Sequence, residues 1–159
     1  MAYKILFVCL GNICRSPSAE GIMNHLIQRK QLQDQIHCDS AGTSSYHIGS
    51  APDSRMTQAA RQQGITLSGQ ARQFVVDDFD AFDLIVAMDQ DNYRDILRLD
   101  PTGEHRHKVK QMCEFTSEYS DKEVPDPYYG GADGFRHVID LLLDACDGLL
   151  TRVTQTTAP

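Results

Sequence analysis

The sequence predicts an α/β fold: a doubly wound sheet of about four parallel strands with helices on both faces. Three observations predict it. Short, almost wholly apolar runs such as Ile5-Leu6-Phe7-Val8 and Leu84-Ile85-Val86-Ala87-Met88 read as strands covered on both faces. Between such runs lie segments whose apolar residues recur at helical spacing, so strand and helix alternate along the chain. The first run also passes through a tight loop straight into a helix, the connection that places ligands beyond the carboxyl ends of parallel strands.

In order, Tyr3 to Val8 forms the first strand. Ser16 is expected to cap the helix that follows and Pro17 to occupy its first position, where a missing N–H costs nothing. Ala19, Ile22, Met23, Leu26 and Ile27 then mark the apolar stripe of that helix. Ile36 to Gly42 reads as a second strand, joined to the first by a right-handed parallel crossover. Asp53 begins a second helix carrying Met56, Ala59 and Ala60, and Gly64 closes it in the left-handed conformation. Phe79 and Phe82 precede the third strand, Leu84 to Met88. Asp89 caps the next helix, which holds Tyr93, Ile96 and Leu97 and stops before Asp100-Pro101. A weaker strand around Val109 to Met112 leads into a long polar loop reaching Gly131. Phe135, Val138, Ile139, Leu142, Leu143, Cys146, Leu149, Leu150 and Val153 define a long terminal helix, with the residues after Arg152 frayed.

Neither a repeat nor a low-complexity tract nor a linker interrupts this pattern, so residues 1–159 read as one domain. The formal charge of −7 argues against nucleic acid as a partner. The one basic cluster, His105-Arg106-His107-Lys108 with Lys110, reads as a solvated loop before a strand. No apolar run is long enough to span a bilayer, and the N-terminus lacks the layout of a signal peptide, so the expected location is cytoplasmic. Five cysteines, an odd and sparse set, suit reduced thiols. Cys9 and Cys14 have no second ligand pair at metal spacing, so no metal is expected. Cys38, Cys113 and Cys146 read as packing residues.

The chemistry concentrates in Cys9-Leu10-Gly11-Asn12-Ile13-Cys14-Arg15-Ser16. A loop from strand to helix turns backbone N–H groups into one small space, and the helix N-terminus adds about half a positive charge. Cys9 stands at one end of this anion cradle and Arg15 at the other. The amides, the helix end and Arg15 favour thiolate over thiol, and Ser16 can add a hydrogen bond to the sulfur. Arg15 presents a planar fork suited to two phosphate oxygens at once. Gly11 and Asn12 tolerate left-handed backbone and let the loop turn its amides inward. Asp126 is a candidate acid, in a loop stiffened by Pro125 and Pro127 and flanked by Tyr128 and Tyr129. On its own, Cys9 with Arg15 is equally a buried thiol beside a helix-cap cation, and Asp126-Pro127 is more often a turn.

Val8-Cys9-Leu10-Gly11-Asn12-Ile13-Cys14-Arg15-Ser16-Pro17 resembles the phosphate loop of the low-molecular-weight protein tyrosine phosphatases. Ser40-Ala41-Gly42-Thr43, Ala71-Arg72-Gln73, Met88-Asp89 and Asp126-Pro127-Tyr128-Tyr129 match blocks of that family in the same order, so the resemblance covers essentially the whole chain. It implies hydrolysis of phosphotyrosine on tyrosine-phosphorylated proteins, with no cofactor. Cys9 would be the nucleophile, Arg15 the phosphate ligand and Asp126 the general acid and base. It further implies that Leu10 to Cys14 and Ser16 line the phosphate site, that Asn12 shapes the loop, and that Ser40 braces Asn12. Tyr46, Tyr128 and Tyr129 would hold a phenyl ring. Some members carry a histidine where Gly69 stands, which leaves the bracing of the loop and any partner of Asp89 open.

Two rival classes are thiol-dependent arsenate reductase on the same fold and a non-catalytic phosphate-binding module. The first needs relay cysteines around residues 80 to 90, where this chain has Ala81 and Met88 and no cysteine. The second does not call for Cys9, Arg15 and Asp126 together.

Overall fold

The computed structural model describes residues 2–128 and 130–157, and of Thr157 the backbone alone. Four strands, β1 (Tyr3–Cys9), β2 (Ile36–Gly42), β3 (Leu84–Ala87) and β4 (Val109–Gln111), form one sheet in the order β2-β1-β3-β4. Every pairing is parallel: Phe7 lies opposite Ser40 and Val86, and Ile85 opposite Val109. The chain reverses its direction of growth between β1 and β3, so the carboxyl end of β1 is the switch point at which such sheets open a crevice.

Period-two alternation sorts the strand residues onto two faces. Ile5, Phe7 and Cys9 of β1 pack with α1 (Arg15–Arg29), α2 (Ser54–Gln62) and α5 (Ala132–Thr157). Leu6 and Val8 face the other way, onto Phe74, onto Phe79 of α3 (Asp78–Ala81) and onto Ile96 of α4 (Gln90–Arg98). Helices thus cover both faces, as the apolar runs predicted. The α1 stripe is buried at Ala19, Ile22, Met23 and Ile27, with Leu26 packed against its edge. Asp53 caps α2 by accepting from the N–H groups of Arg55 and Met56, and Gly64 follows its end at φ 79°. Asp89 caps α4 by accepting from Asn92. No helix among the described residues is long and apolar enough to cross a membrane.

Four expectations need correction. α1 begins at Arg15 without a side-chain cap, so Ser16 and Pro17 are its second and third residues. Ser16 turns inward to the sulfur of Cys9 instead of closing the helix end. The terminal helix continues to Thr157, because Val153 remains buried and holds the final turns against the core. Gly11 does not adopt left-handed backbone; only Asn12 does in this loop, at φ 57°. Finally, the four-residue α3 and the short 3₁₀ turns at Arg106–Lys108 and Met112–Phe115 show no periodicity and escaped the pattern. In the first of these turns Lys108 is no solvated charge: its Nζ donates to the carbonyls of Phe79 and Phe82.

Candidate active site

β1 delivers Cys9 to the floor of a cavity of about 350 Å³, where the thiol is only 2% exposed. Both contacts of its sulfur come from Ser16: Oγ at 3.0 Å and the backbone N–H at 3.4 Å. Leu10, Gly11, Ile13, Cys14 and Arg15 line the same cavity. Asn12 and Ser16 lie behind it and shape the loop. Two close approaches involve glycine, against backbone at Gly42 and against a side chain at Gly11. A Cβ on Gly42, at the end of β2, would sit 2.8 Å from the Leu10 carbonyl oxygen, and one on Gly11 would sit 2.9 Å from the ring of His47.

The left-handed turn at Asn12 is held by its side chain. Oδ1 accepts from the backbone N–H of Arg72, while Nδ2 donates to Ser16 Oγ at 2.8 Å and to Ser40 Oγ at 3.0 Å. The contact between Ser40 and Asn12 is the one the resemblance implied. Arg72 is fixed in turn by ion pairs to Asp39 and Asp78. These carboxylates hold its guanidinium above its ordinary basicity in spite of burial.

Arg15 is 2% exposed and held from two directions. Nη1 donates to Asp89 Oδ2 at 2.6 Å and to the Val124 carbonyl at 3.0 Å, while Nη2 faces Asp126 Oδ2 at 3.5 Å. Burial acts to lower its pKa; Cys9, the hydrogen-bonded Asp89 and Asp126 outweigh it, so the group stays a cation. Val124 also donates its N–H to the Met88 carbonyl, which pins the acid-bearing loop to the end of β3. Two residues later Asp126 turns toward the cavity, its Oδ1 accepting from the Tyr128 N–H. Its side chain is 38% exposed.

Tyr46, 85% exposed, stands at the rim with its ring edge-on to His47 at 4.8 Å. His47 in turn lies 6.0 Å from Tyr128, so three aromatic rings follow one side of the opening. The Arg55 guanidinium rests over the rings of both Tyr128 and Phe135, which ties that wall to α5. Tyr129 lies outside the described residues.

Sequence reasoning missed Ser44 and His47 in the lining and Asp89 as the partner of Arg15. His47 had a local signal, since it directly follows Tyr46. The second role of Asp89 had none, because 74 residues separate it from Arg15. All five cysteines are free. Burial pushes Cys14 up to about 12 and Cys113 up to about 11, and raises Cys38 and Cys146 as well, so these thiols carry little thiolate at neutral pH.

The Cys9 thiol, the Arg15 guanidinium and the Asp126 carboxyl group thus converge on one cavity, and known proteins share the whole frame. A Synechocystis protein provisionally named as a low molecular weight protein-tyrosine-phosphatase is 62% identical over 148 residues, covering 93% of this chain and 94% of its own. The low molecular weight phosphotyrosine protein phosphatase of Schizosaccharomyces pombe is 40% identical, with 94% and 96% covered. A protein tyrosine phosphatase from Entamoeba histolytica, solved with Hepes in its active site, superposes with a TM-score of 0.95 at 46% identity, covering 98% of this chain and 99% of that one. The family profile described as low molecular weight phosphotyrosine protein phosphatase spans residues 4–158. The chain therefore belongs to the low molecular weight phosphotyrosine protein phosphatase family.

Proposed function

We propose that this chain acts as a single catalytic domain that hydrolyses phosphotyrosine on protein substrates through a phosphocysteine intermediate. Cys9 Sγ attacks phosphorus; the S–P bond forms as the bond from phosphorus to the phenolic oxygen breaks, and Asp126 gives its proton to the departing oxygen. Water then attacks phosphorus, passing a proton to Asp126, and the S–P bond breaks to return the thiolate. Arg15 and the loop amides stabilise the equatorial oxygens through both steps. Leu10 to Cys14 shape the phosphate site, with Ser16 behind the sulfur and Ser40 behind Asn12. Tyr46, Tyr128 and Tyr129 receive the phenyl ring. No metal or cofactor enters any step.

The observation that carries this proposal is the placing of Cys9 Sγ on the cavity floor with the Arg15 fork and Asp126 beside it. A phosphate seated on Arg15 would take over the guanidinium face now turned to Asp126, leaving that carboxyl group at the leaving oxygen. Aromatic rings along the rim favour an aryl ester over an alkyl one. The five free thiols support a cytoplasmic location.

The test is turnover of a phosphotyrosine peptide beside its phosphoserine counterpart, and of arsenate with a thiol reductant, by the native protein and Cys9→Ser. Rapid release of phosphate from phosphotyrosine alone, abolished in Cys9→Ser, is the expected result. Phosphatase activity surviving in Cys9→Ser would remove covalent catalysis from this residue. Arsenate reduction without phosphatase activity would favour the rival enzyme class.

A further inference from the structure

One branch of the hydrogen bonds behind the loop runs from Asn12 through Ser40 and ends on a carboxylate. Asn12 Oδ1 accepts from the Arg72 N–H, so the amide cannot be reversed, and both Nδ2 protons are spent on Ser16 and Ser40. Each hydroxyl therefore receives a proton from Asn12 and must send its own elsewhere. Ser16 lies 3.0 Å from the sulfur of Cys9. Ser40, 7% exposed, donates to Glu20 Oε1 at 2.6 Å, a length typical of a charge-assisted bond. Glu20 belongs to α1 and Ser40 to β2, so this contact also joins the first helix to the strand beside the loop. Gly69, Glu20, Asp39, Ser40 and Asn12 line a small cleft of about 90 Å³.

We infer that Glu20 is a positioning residue for the phosphatase reaction proposed above: by accepting the Ser40 proton it locks Asn12, and through Asn12 the loop that presents Cys9. Without an acceptor at Glu20, the Ser40 hydroxyl is buried with a proton to place. A proton turned instead onto Asn12 would require its amide to rotate, breaking the bonds to Ser16 and Arg72. Ser16, which lies against the sulfur and also donates to the Ala41 carbonyl at 3.4 Å, then loses its bond from Asn12. The surroundings suit an acceptor that is strained but retained. Burial raises the Glu20 carboxyl above its usual range, Asp39 adds to that, and the Ser40 hydroxyl and Arg72 pull it back.

Glu20→Ala, Glu20→Gln, Ser40→Ala and the Glu20→Ala/Ser40→Ala pair test this. Alanine keeps α1 helical, and glutamine retains an oxygen able to accept from Ser40. Two readouts are needed: kcat/KM on a phosphotyrosine peptide, and the pH dependence of Cys9 alkylation by iodoacetamide, which requires no turnover. Glu20→Ala should lower kcat/KM about tenfold, the scale of one buried hydrogen bond to a charged group. It should also move the alkylation midpoint to higher pH. Glu20→Gln should restore both within about twofold, and Glu20→Ala should add little in the Ser40→Ala background. The inference is overturned if Glu20→Ala matches the native protein in the alkylation profile, if Glu20→Gln is as impaired as Glu20→Ala, or if the double variant shows the full product of two losses. A native protein without phosphatase activity would refute the proposed reaction, while the alkylation series would still decide the role of Glu20.

Discussion

Asp89 performs two functions that substitution can separate. Its Oδ1 accepts from the Asn92 N–H and caps α4, while its Oδ2 holds Arg15 at 2.6 Å. Asp89→Ala removes both. Loss of a helix cap costs about 1 kcal/mol. Removing one partner of a buried ion pair costs roughly 3–5 kcal/mol. That figure shrinks here to about 2–3 kcal/mol, because the Asp89 side chain is 20% exposed and Arg15 keeps its bonds to Val124 and Asp126. The expected total is about 3–4 kcal/mol. Asp89→Asn keeps the cap, since asparagine caps as well as aspartate, and keeps an oxygen near Arg15 while losing the charge; its cost is about 1–2 kcal/mol. Urea unfolding midpoints, converted with a common slope, should show the two variants about 2 kcal/mol apart. In kinetics, Asp89→Ala should lower kcat/KM by more than tenfold because Arg15 loses its tether, with Asp89→Asn the milder of the two. Equal destabilisation by the two variants, or native kcat/KM in Asp89→Ala, would refute the assignment of Asp89 as the anchor of Arg15.

Other perturbations follow from the same geometry. Gly148 lies within α5, where alanine ordinarily gains up to about 1 kcal/mol, but its Cβ would drive into the Phe115 carbonyl. Gly148→Ala should therefore destabilise by at least about 2 kcal/mol, and an unchanged or raised Tm would contradict the packing of α5 on residues 112–115. Mild peroxide should oxidise Cys9 first, with Cys14 resolving it to a disulfide that reductant reverses. Because burial pushes Cys14 up to about 12, closure of that bond should lag behind loss of activity and quicken as pH rises; peptide mapping that finds only irreversible sulfinic acid on Cys9 would refute the pairing. Asp144 accepts from the N–H groups of Ser117, Glu118 and Tyr119, clasping the acid-bearing loop to α5. Desolvation, the largest single influence, raises its carboxyl, but these donors together outweigh it, so its pKa lies below the unfolded value and its stabilisation is lost as pH falls through the folded pKa. Asp144→Ala should cost about 1 kcal/mol at neutral pH after allowance for solvent screening, and the gap should close below about pH 4 in urea unfolding across pH; a gap that widens in acid would contradict the sign.

How much was legible in the sequence depended on the range of the interaction involved. Strands buried on both faces need apolar residues at every position, so β1 and β3 announced themselves, and Ile36 to Gly42, ending in small residues, gave β2 with the right bounds. The loop from Cys9 to Ser16 was readable because one tight turn must carry nucleophile, cation and left-handed residue together. Helix starts were less so. Ser16-Pro17 has the composition of a cap, yet the anion cradle claims the hydroxyl for Cys9 and the helix begins at Arg15. Least legible were partners joined only through the fold: Arg15 with Val124, 109 residues apart, and Asn12 with Arg72, 60 apart. Glu20 looked like one more charge on the polar face of an amphipathic helix, and only the β2 hydroxyl beside it shows otherwise.

The central claim is that phosphate passes through sulfur on Cys9, and Asp126→Ala exposes it. A phenolate from tyrosine needs protonation, since its conjugate acid has a pKa of about 10, whereas an activated aryl phosphate leaves with little help. In Asp126→Ala, an activated substrate should phosphorylate Cys9 quickly while hydrolysis lags, because the base for water is gone. Rapid mixing followed by acid quench and peptide mass spectrometry should then show a burst of one phenol per protein, with the phosphoryl group on the peptide that carries Cys9. A linear time course with no phosphorylated peptide, or the adduct on any other residue, would contradict the account.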